Sequence, residues 1–420
     1  MPNSNNSNDK ERIIIKFGGA SLADSDRILK ATKFVLDEVN NGKDVVVVVS
    51  AMGKTTDSLL GILEKSSNNN LEKTDADDIL SMGERTSIRI FTAALKSKSE
   101  DLRVKYFDPS DEDWPIITDE NFTDANPIIE QCKTRIRQNI EPLFKNNIVP
   151  VIAGFVGKTC NGKISTIGRG GSDATAFIIA QALNAKEVVM VTDSHGIMSA
   201  DPKFFPNATR IPRIDVNYLV KLADSGAKFI HIKALKYKSP KTNVRVIHYK
   251  EPSLAANGTI ITGGIGSDLK VHFMSNSPIV MVTVVGQEIS EKSDVINELI
   301  EKINYYAKLE GMSLNHDSAI FYVSENKDLK ELLEGIHNSV KNHKETIAMN
   351  FHKKLGFLKI SGVGLEQTPG VVGLISESLR LKGINIFGIL TITSSILVFI
   401  DWDKSKNAKE LIEKALEDSS

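Results

Sequence analysis

The sequence predicts an α/β chain in which helices cover both faces of a mostly parallel sheet, followed by a small α+β module present twice. Three observations carry this. Strand-like and helix-like patterns alternate up to about residue 260. Val45–Val49 is an unbroken valine run between Asp44 and Ser50, the composition of a strand buried on both faces. Beyond Ile260, Gly263, Gly264 and Gly266 punctuate the chain, and two stretches with the same order of signals follow.

In chain order, the polar MPNSNNSNDK opening reads as a disordered tail over residues 1–10. Arg12–Phe17 is an apolar strand stopped by Gly18-Gly19, and Ser21–Val39 has helical spacing. Helices are predicted at Asp75–Leu95, Ile128–Lys145 and Asp173–Leu183, with strands at Val104–Phe107, Val149–Phe155 and Glu187–Thr192. In the second part, the first copy has strands Ile279–Val285 and Ala319–Val323 and helices Asp294–Leu309 and Leu329–Val340. The second has strands Phe357–Ser361, Asn385–Thr391 and Ser395–Ile400 and helices Gly370–Lys382 and Ala408–Glu417. His343–Lys354 reads as a polar connector between them.

Bulk properties narrow the partners. A formal net charge of -1 gives no electrostatic reason to bind nucleic acid or an acidic membrane surface. No apolar run approaches a membrane span, and the N-terminus has no signal-peptide core, so a cytoplasmic location is expected. The 2 cysteines, Cys132 and Cys160, fit a reducing compartment and read as buried spectators. No metal-ligand spacing of His or Cys is present.

In parallel α/β sheets ligands sit beyond the carboxyl ends of the strands, and three Gly/Ser/Thr-rich loops are expected there: Gly18–Ser21, Ser50–Thr56 and Gly168–Ser172. Lys16-Phe17-Gly18-Gly19-Ala20-Ser21 places a lysine and close-approach glycines at a helix start, which suits a phosphate and suits a plain turn too. Gly53-Lys54-Thr55 and Gly157-Lys158-Thr159 imitate the end of a P-loop. The position where that motif has its first glycine holds Val48 and Ile152, so neither is one. Gly168-Arg169-Gly170-Gly171-Ser172-Asp173 sets an arginine among glycines and then caps an apolar helix, the make-up of an anion-holding turn. Asp193, after the strand ending at Thr192, fits a ribose or metal contact and equally a turn cap before Gly196.

Taken together these residues resemble the aspartate kinases of the amino-acid-kinase superfamily. The family's Lys-Phe-Gly-Gly-Thr-Ser is Lys16–Ser21 with Ala20 for threonine, and its Val-Ser-Ala-Met-Gly-x-Thr-Thr-Asp is Val49–Asp57. Its Gly-Glu is Gly83-Glu84, its Gly-Arg-Gly-Gly-Ser-Asp is Gly168–Asp173, and its nucleotide segment is Thr192–Lys203. Ser225-Gly226-Ala227-Lys228 matches a further lysine-bearing turn. The resemblance implies a three-layer α/β catalytic domain over 11–265 and two ACT modules over 270–342 and 355–420, with ATP and Mg2+ as cofactors. It implies L-aspartate as substrate, an amino-acid effector at the ACT modules, and a homodimer or higher homo-oligomer.

Residue roles follow by the same resemblance. Lys16, Asp173 and Lys228 serve the phosphoryl transfer; Ser50, Thr56, Glu84, Arg169 and Ser172 hold aspartate, with Glu84 taking the ammonium and Arg169 the α-carboxylate. Lys16, Gly18, Gly19, Ser21, Thr192, Asp193, Met198, Lys203, Lys228 and Phe229 contact ATP. The chain departs from the family at His195 for aspartate, Met198 for tyrosine, Lys203 for arginine and Ile232 for proline. The first ACT module has Glu291-Lys292-Ser293-Asp294 where Pro-Gly is usual; the second keeps Pro369-Gly370. Other readings are a kinase of this fold for another amino acid, such as glutamate or acetylglutamate, and a non-catalytic amino-acid-sensing subunit.

Overall fold

The computed structural model describes residues 10–66, 71–224, 230–264, 269–362, 365, 369–392 and 395–418. The chain divides into two compact units, Met1–Ser267 and Asp268–Ser420.

The first unit runs β1 (Arg12–Phe17), α1 (Ser25–Asn40), β2 (Asp44–Val49), α2 (Thr55–Ser66), α3 (Lys73–Lys96), β3 (Arg103–Phe107) and β4 (Ile117–Thr118). It continues with α4 (Ile129–Asn139), α5 (Glu141–Phe144), β5 (Ile148–Ala153), β6 (Val156–Thr159), β7 (Ile164–Thr166), α6 (Gly171–Ala182) and β8 (Glu187–Thr192). It closes with β9 (Arg213–Asp215), α7 (Val216–Asp224), α8 (Ile232–Leu235), β10 (Asn243–His248) and β11 (Thr259–Thr262). The main sheet has 8 strands in the order β3-β5-β2-β1-β8-β10-β11-β9. From β3 to β10 neighbouring strands are parallel, and β11 runs antiparallel to β10. A smaller sheet, β4-β6-β7, stands beside it.

The valines of β2 are buried throughout, as a central strand covered on both faces requires. Side chains alternate across β1. Phe17 meets Phe91 of α3 on one face, with ring centroids 5.4 Å apart, and Lys16 reaches Asp173 of α6 on the other. The parallel strands therefore end along one edge, at Phe17, Val49, Ala153, Thr192 and His248. That edge collects the glycine-rich loops.

Several local expectations are revised. The helix predicted from Ser21 starts as a 3-10 turn over Gly19–Leu22 and becomes α1 only at Ser25, where Asp24 accepts a hydrogen bond from the Arg27 amide. The predicted Ile128–Lys145 helix breaks at Ile140, because Pro142 can open a helix but not continue one. Thr55–Ser66 is a helix that the loop-like composition hid. Cys160 is exposed rather than buried, whereas Cys132 is buried. The proposed tail lies, from residue 1 to 9, outside the described residues.

The second unit runs β12 (Lys270–Phe273), β13 (Ile279–Gly286), α9 (Ser293–Tyr306), β14 (Leu309–Asn315), β15 (Ser318–Ser324), α10 (Leu329–Asn342), β16 (Thr346–Ser361), α11 (Val371–Arg380), β17 (Ile386–Ile392), β18 (Ser395–Asp401) and α12 (Ser405–Glu417). These strands form one sheet of 7, in the order β14-β15-β13-β16-β18-β17 with β12 also on β16. The expected connector is mostly strand: β16 takes in residues 346–354, pairs with β13 over its first part and with β18 over its second. Residues 347–354 are exposed or half-buried throughout, Ile347 and Phe351 included, so neither burial nor composition there shows the period-2 signal of a strand. The helix predicted to Leu309 ends at Tyr306, and Leu309 opens β14.

Candidate active site

Lys16 is the side chain from which the site is built. Its Nζ lies 2.7 Å from Asp173 Oδ1, with both side chains largely buried. Asp173 is in the first turn of α6, behind Gly168 and Gly170, which have φ of 78° and 79°. That left-handed backbone suits glycine. It curls the chain so that the α6 N-terminus lies at the edge where Lys16 emerges, with the Gly171 amide closing the turn on Gly168 O and the Asp173 amide on Gly170 O. Ser172 sits in the same turn, so close to Gly154 that a Cβ there would lie 2.6 Å from the Ser172 Cβ.

The Lys16–Ser21 turn is pinned to the neighbouring strand by the Gly18 amide on Val191 O (3.0 Å) and Ser21 Oγ on Val191 O (2.9 Å). Gly19 allows the Ser50–Thr56 loop to close on it: the Gly53 amide donates to Gly19 O (2.9 Å), and a Cβ on Gly19 would fall 2.7 Å from Ala51 O. Ser50 and Thr56 are half-buried at this loop.

Glu84 arrives from α3. Gly83 lets that helix approach, since a Cβ there would be 2.8 Å from the Ala51 Cβ. Glu84 is 3% exposed; Oε1 accepts from the Ala51 amide (3.0 Å) and Oε2 is buried without a hydrogen-bond partner. Burial pushes its carboxyl up to about 7, with the Ala51 amide and the Lys16 charge pulling the other way. An unpaired buried carboxylate oxygen is a seat for a cation. Arg169 is exposed, and no ion pair holds its guanidinium among the described residues. Arg169 is close enough to His231 to help depress that imidazole's pKa, after burial and Lys233.

The nucleotide-side candidates are arranged more loosely. Thr192 ends β8 and its Oγ1 bonds to Asp193 Oδ1 at 3.2 Å; Asp193 and Lys203 are exposed, and Met198 is half-buried beside Arg210. Asp201 accepts from the Lys203 amide at 2.9 Å, closing the Asp201-Pro202-Lys203 turn. Lys228 and Phe229 lie outside the described residues.

Sequence reading missed neighbours of this edge. His195 stacks on His248, centroids 4.1 Å apart and planes within 6°, and His248 stacks on Tyr249. Pairing of β8 with β10, which puts Thr192 beside His248, brings them together. Nothing local in sequence signals a contact across that separation. Asp77, Thr123, Asp124 and Lys233 were also unmarked, although Asp77 lies 7 residues before Glu84 on α3, a spacing that puts both on one helix face.

An ion-paired lysine, an anion-holding turn and a buried carboxylate at the strand ends define a site for a small charged acid and a phosphoryl group. Residues 11–248 match the amino acid kinase family. Aspartokinase from Rickettsia felis is 32% identical over 382 residues, covering 89% of this chain and 91% of that protein. Aspartokinase from Geobacillus stearothermophilus is 30% identical over 417 residues, covering 96% of each. The fold is also that of aspartate kinase from Synechocystis: TM-score 0.77 at 23% identity, over 97% of this chain and 69% of that one. The chain belongs to the amino acid kinase family and, within it, to the aspartokinases.

Proposed function

We propose that this chain transfers the γ-phosphoryl of ATP to the β-carboxylate of L-aspartate, giving 4-phospho-L-aspartate at the head of lysine, threonine and methionine biosynthesis. The supporting observation is the meeting of the Lys16–Asp173 pair at 2.7 Å with the unpartnered Glu84 oxygen on the edge that carries Arg169. Substrate and phosphoryl donor then need only positioning and charge stabilisation, because a carboxylate is already ionised at neutral pH.

Glu84 receives the ammonium and Arg169 forks onto the α-carboxylate. Ser50, Thr56 and Ser172 orient the reacting end. Lys16 leaves Asp173 in part to meet charge on the phosphoryl in flight. Gly18, Gly19, Ser21, Thr192, Asp193, Met198 and Lys203 line the ATP side, with Lys228 and Phe229 assigned there from sequence. Among the described residues no group of 3 or more His, Cys, Asp or Glu forms a metal cage. Mg2+ needs no such cage, because it keeps several waters and binds through one or two carboxylates plus substrate phosphates. Asp173 and Asp193 are the carboxylates that would hold it, and when bound it neutralises phosphate charge. The catalytic region is 11–265, and 270–342 and 355–420 form two ACT modules that dimerise the chain in the cytoplasm.

The test is ADP release and hydroxamate trapping with aspartate, glutamate and acetylglutamate in parallel. Aspartate alone should give a strong signal. Turnover of glutamate without aspartate would overturn the reading.

A further inference from the structure

Asp77 is a carboxylate with no solvent exposure, lying near the start of α3. Its Oδ2 accepts from two backbone amides, Thr123 and Thr166, each at 2.9 Å, and its Oδ1 from Thr166 Oγ1 at 2.6 Å. Those donors belong to two separate segments. Thr166 ends β7 three residues before Arg169, and Thr123 lies in the loop that follows β4. Thr123 has φ of 72°, a conformation strained for a β-branched residue and sustained only where the surroundings over-determine it. The two segments are also joined to each other, by the Ala125 amide on Thr166 O (2.9 Å) and by Lys233, which bridges Asp124 and Ile167 O. Gly168 rests directly on Asp124, where any Cβ would collide.

No ion pair compensates Asp77 among the described residues, and burial raises its pKa against the pull of its hydrogen bonds. Such a group is costly for helix stability alone. What it accomplishes is a cross-link: α3 carries Glu84 two turns further on, about 10 Å along the axis, and β7 feeds the Arg169 turn.

We propose that Asp77 is a positioning residue that sets the separation between Glu84 and Arg169, and thereby the length and handedness of amino acid the site accepts. The inference rests on the functional reading above and extends it to specificity. The experiment compares wild type, Asp77→Asn and Thr166→Val, measuring kcat and KM for L-aspartate and for ATP, turnover of L-glutamate and D-aspartate, and Tm.

For Asp77→Asn, loss of a charged acceptor in a positioning network should raise KM for aspartate about tenfold or more. KM for ATP should stay within about twofold, and discrimination against L-glutamate and D-aspartate should narrow about tenfold. Thr166→Val removes one hydrogen bond and should move the same quantities in the same direction by about threefold. It decides the matter alone if Asp77→Asn does not fold. A lower Tm with both KM values and the discrimination unchanged would assign Asp77 a purely structural role and overturn the inference, as would a parallel rise in both KM values. A wild-type chain inactive on aspartate would overturn the functional reading and this inference with it.

Discussion

The two sides of the candidate site are built differently. On the acid side, Ser172 packs on Gly154 and Ala51 on Gly83 next to Glu84, so closely that a Cβ on either glycine would fall 2.6 or 2.8 Å from its neighbour, and Asp77 cross-links the elements beneath them. On the nucleotide side, Asp193, His195 and Lys203 are exposed, and the ring of His195 rests on His248 rather than in a packed core. Close packing transmits a change of one atom, while an exposed loop absorbs it. The acid side should therefore be intolerant and the nucleotide side forgiving, which matches three of the departures from the family pattern, His195, Met198 and Lys203.

The largest effect should come where the two sides meet. Lys16→Ala removes the charge that meets the moving phosphoryl, and kcat should fall roughly 100- to 1,000-fold, with KM for aspartate changed far less. Steady-state kinetics decide this, and a pure KM effect would move Lys16 to the binding side of the comparison.

Glu84→Gln tests the acid side alone. Losing a buried partner for the substrate ammonium should cost about 2 kcal/mol, roughly 30-fold in kcat/KM for aspartate, while KM for ATP holds. Glu84 also predicts a pH dependence. With its carboxyl raised to about 7 in the free protein, the charged form needed for the ammonium is lost as pH falls through 7, and kcat/KM for aspartate should fall with it. Stability moves the other way. Between the ordinary glutamate value of 4.5 and about 7 the folded chain binds the proton and the unfolded chain does not, so stability falls as pH rises across that window. Glu84→Gln should flatten both profiles.

The nucleotide side should respond least. Met198→Tyr restores the usual aromatic, and KM for ATP should drop only about two- to fivefold, since one added ring contact is worth at most about 1 kcal/mol. A change of tenfold or more would show that the exposed loop is as tightly coupled as the acid side. In the second unit, Glu291 and Asp294 flank the start of α9, where a carboxylate effector would otherwise be welcome. Lysine or threonine should inhibit weakly or not at all at sub-saturating aspartate, and micromolar half-inhibition would remove that expectation.

How far the sequence could be read follows the same division. The parallel core was legible because its signals are local: five valines in a row, glycines at a strand end, an apolar helix after Ser172-Asp173. Glu84 was legible only through resemblance, since a lone Gly-Glu has many uses, whereas the glycines around Arg169 already marked an anion-holding turn and the resemblance added only which anion. Asp77 and the His195–His248 stack were invisible, because each depends on partners brought in by strand order rather than spacing. The connector was misread for a different reason. The first part of β16 is exposed or half-buried beyond Thr346 and lacks a period-2 pattern, so His343–Lys354 has the composition of a linker until its pairing with β13 is known.

That same strand has a mechanical consequence. β16 pairs with β13 from Gly286↔Thr346 to Ile279↔Leu355, then with β18 from Leu355↔Asp401 to Ser361↔Ser395. Leu355 belongs to both ladders. Across the apolar layer that Leu355 shares, Tyr322 of β15 stacks on Phe399 of β18 at 3.6 Å between centroids. One half of this unit cannot slide or peel without dragging the other half's backbone through the shared rung. Heating or a pulling force should therefore release the sheet in a single step, because the shared strand leaves no seam along which the unit tears.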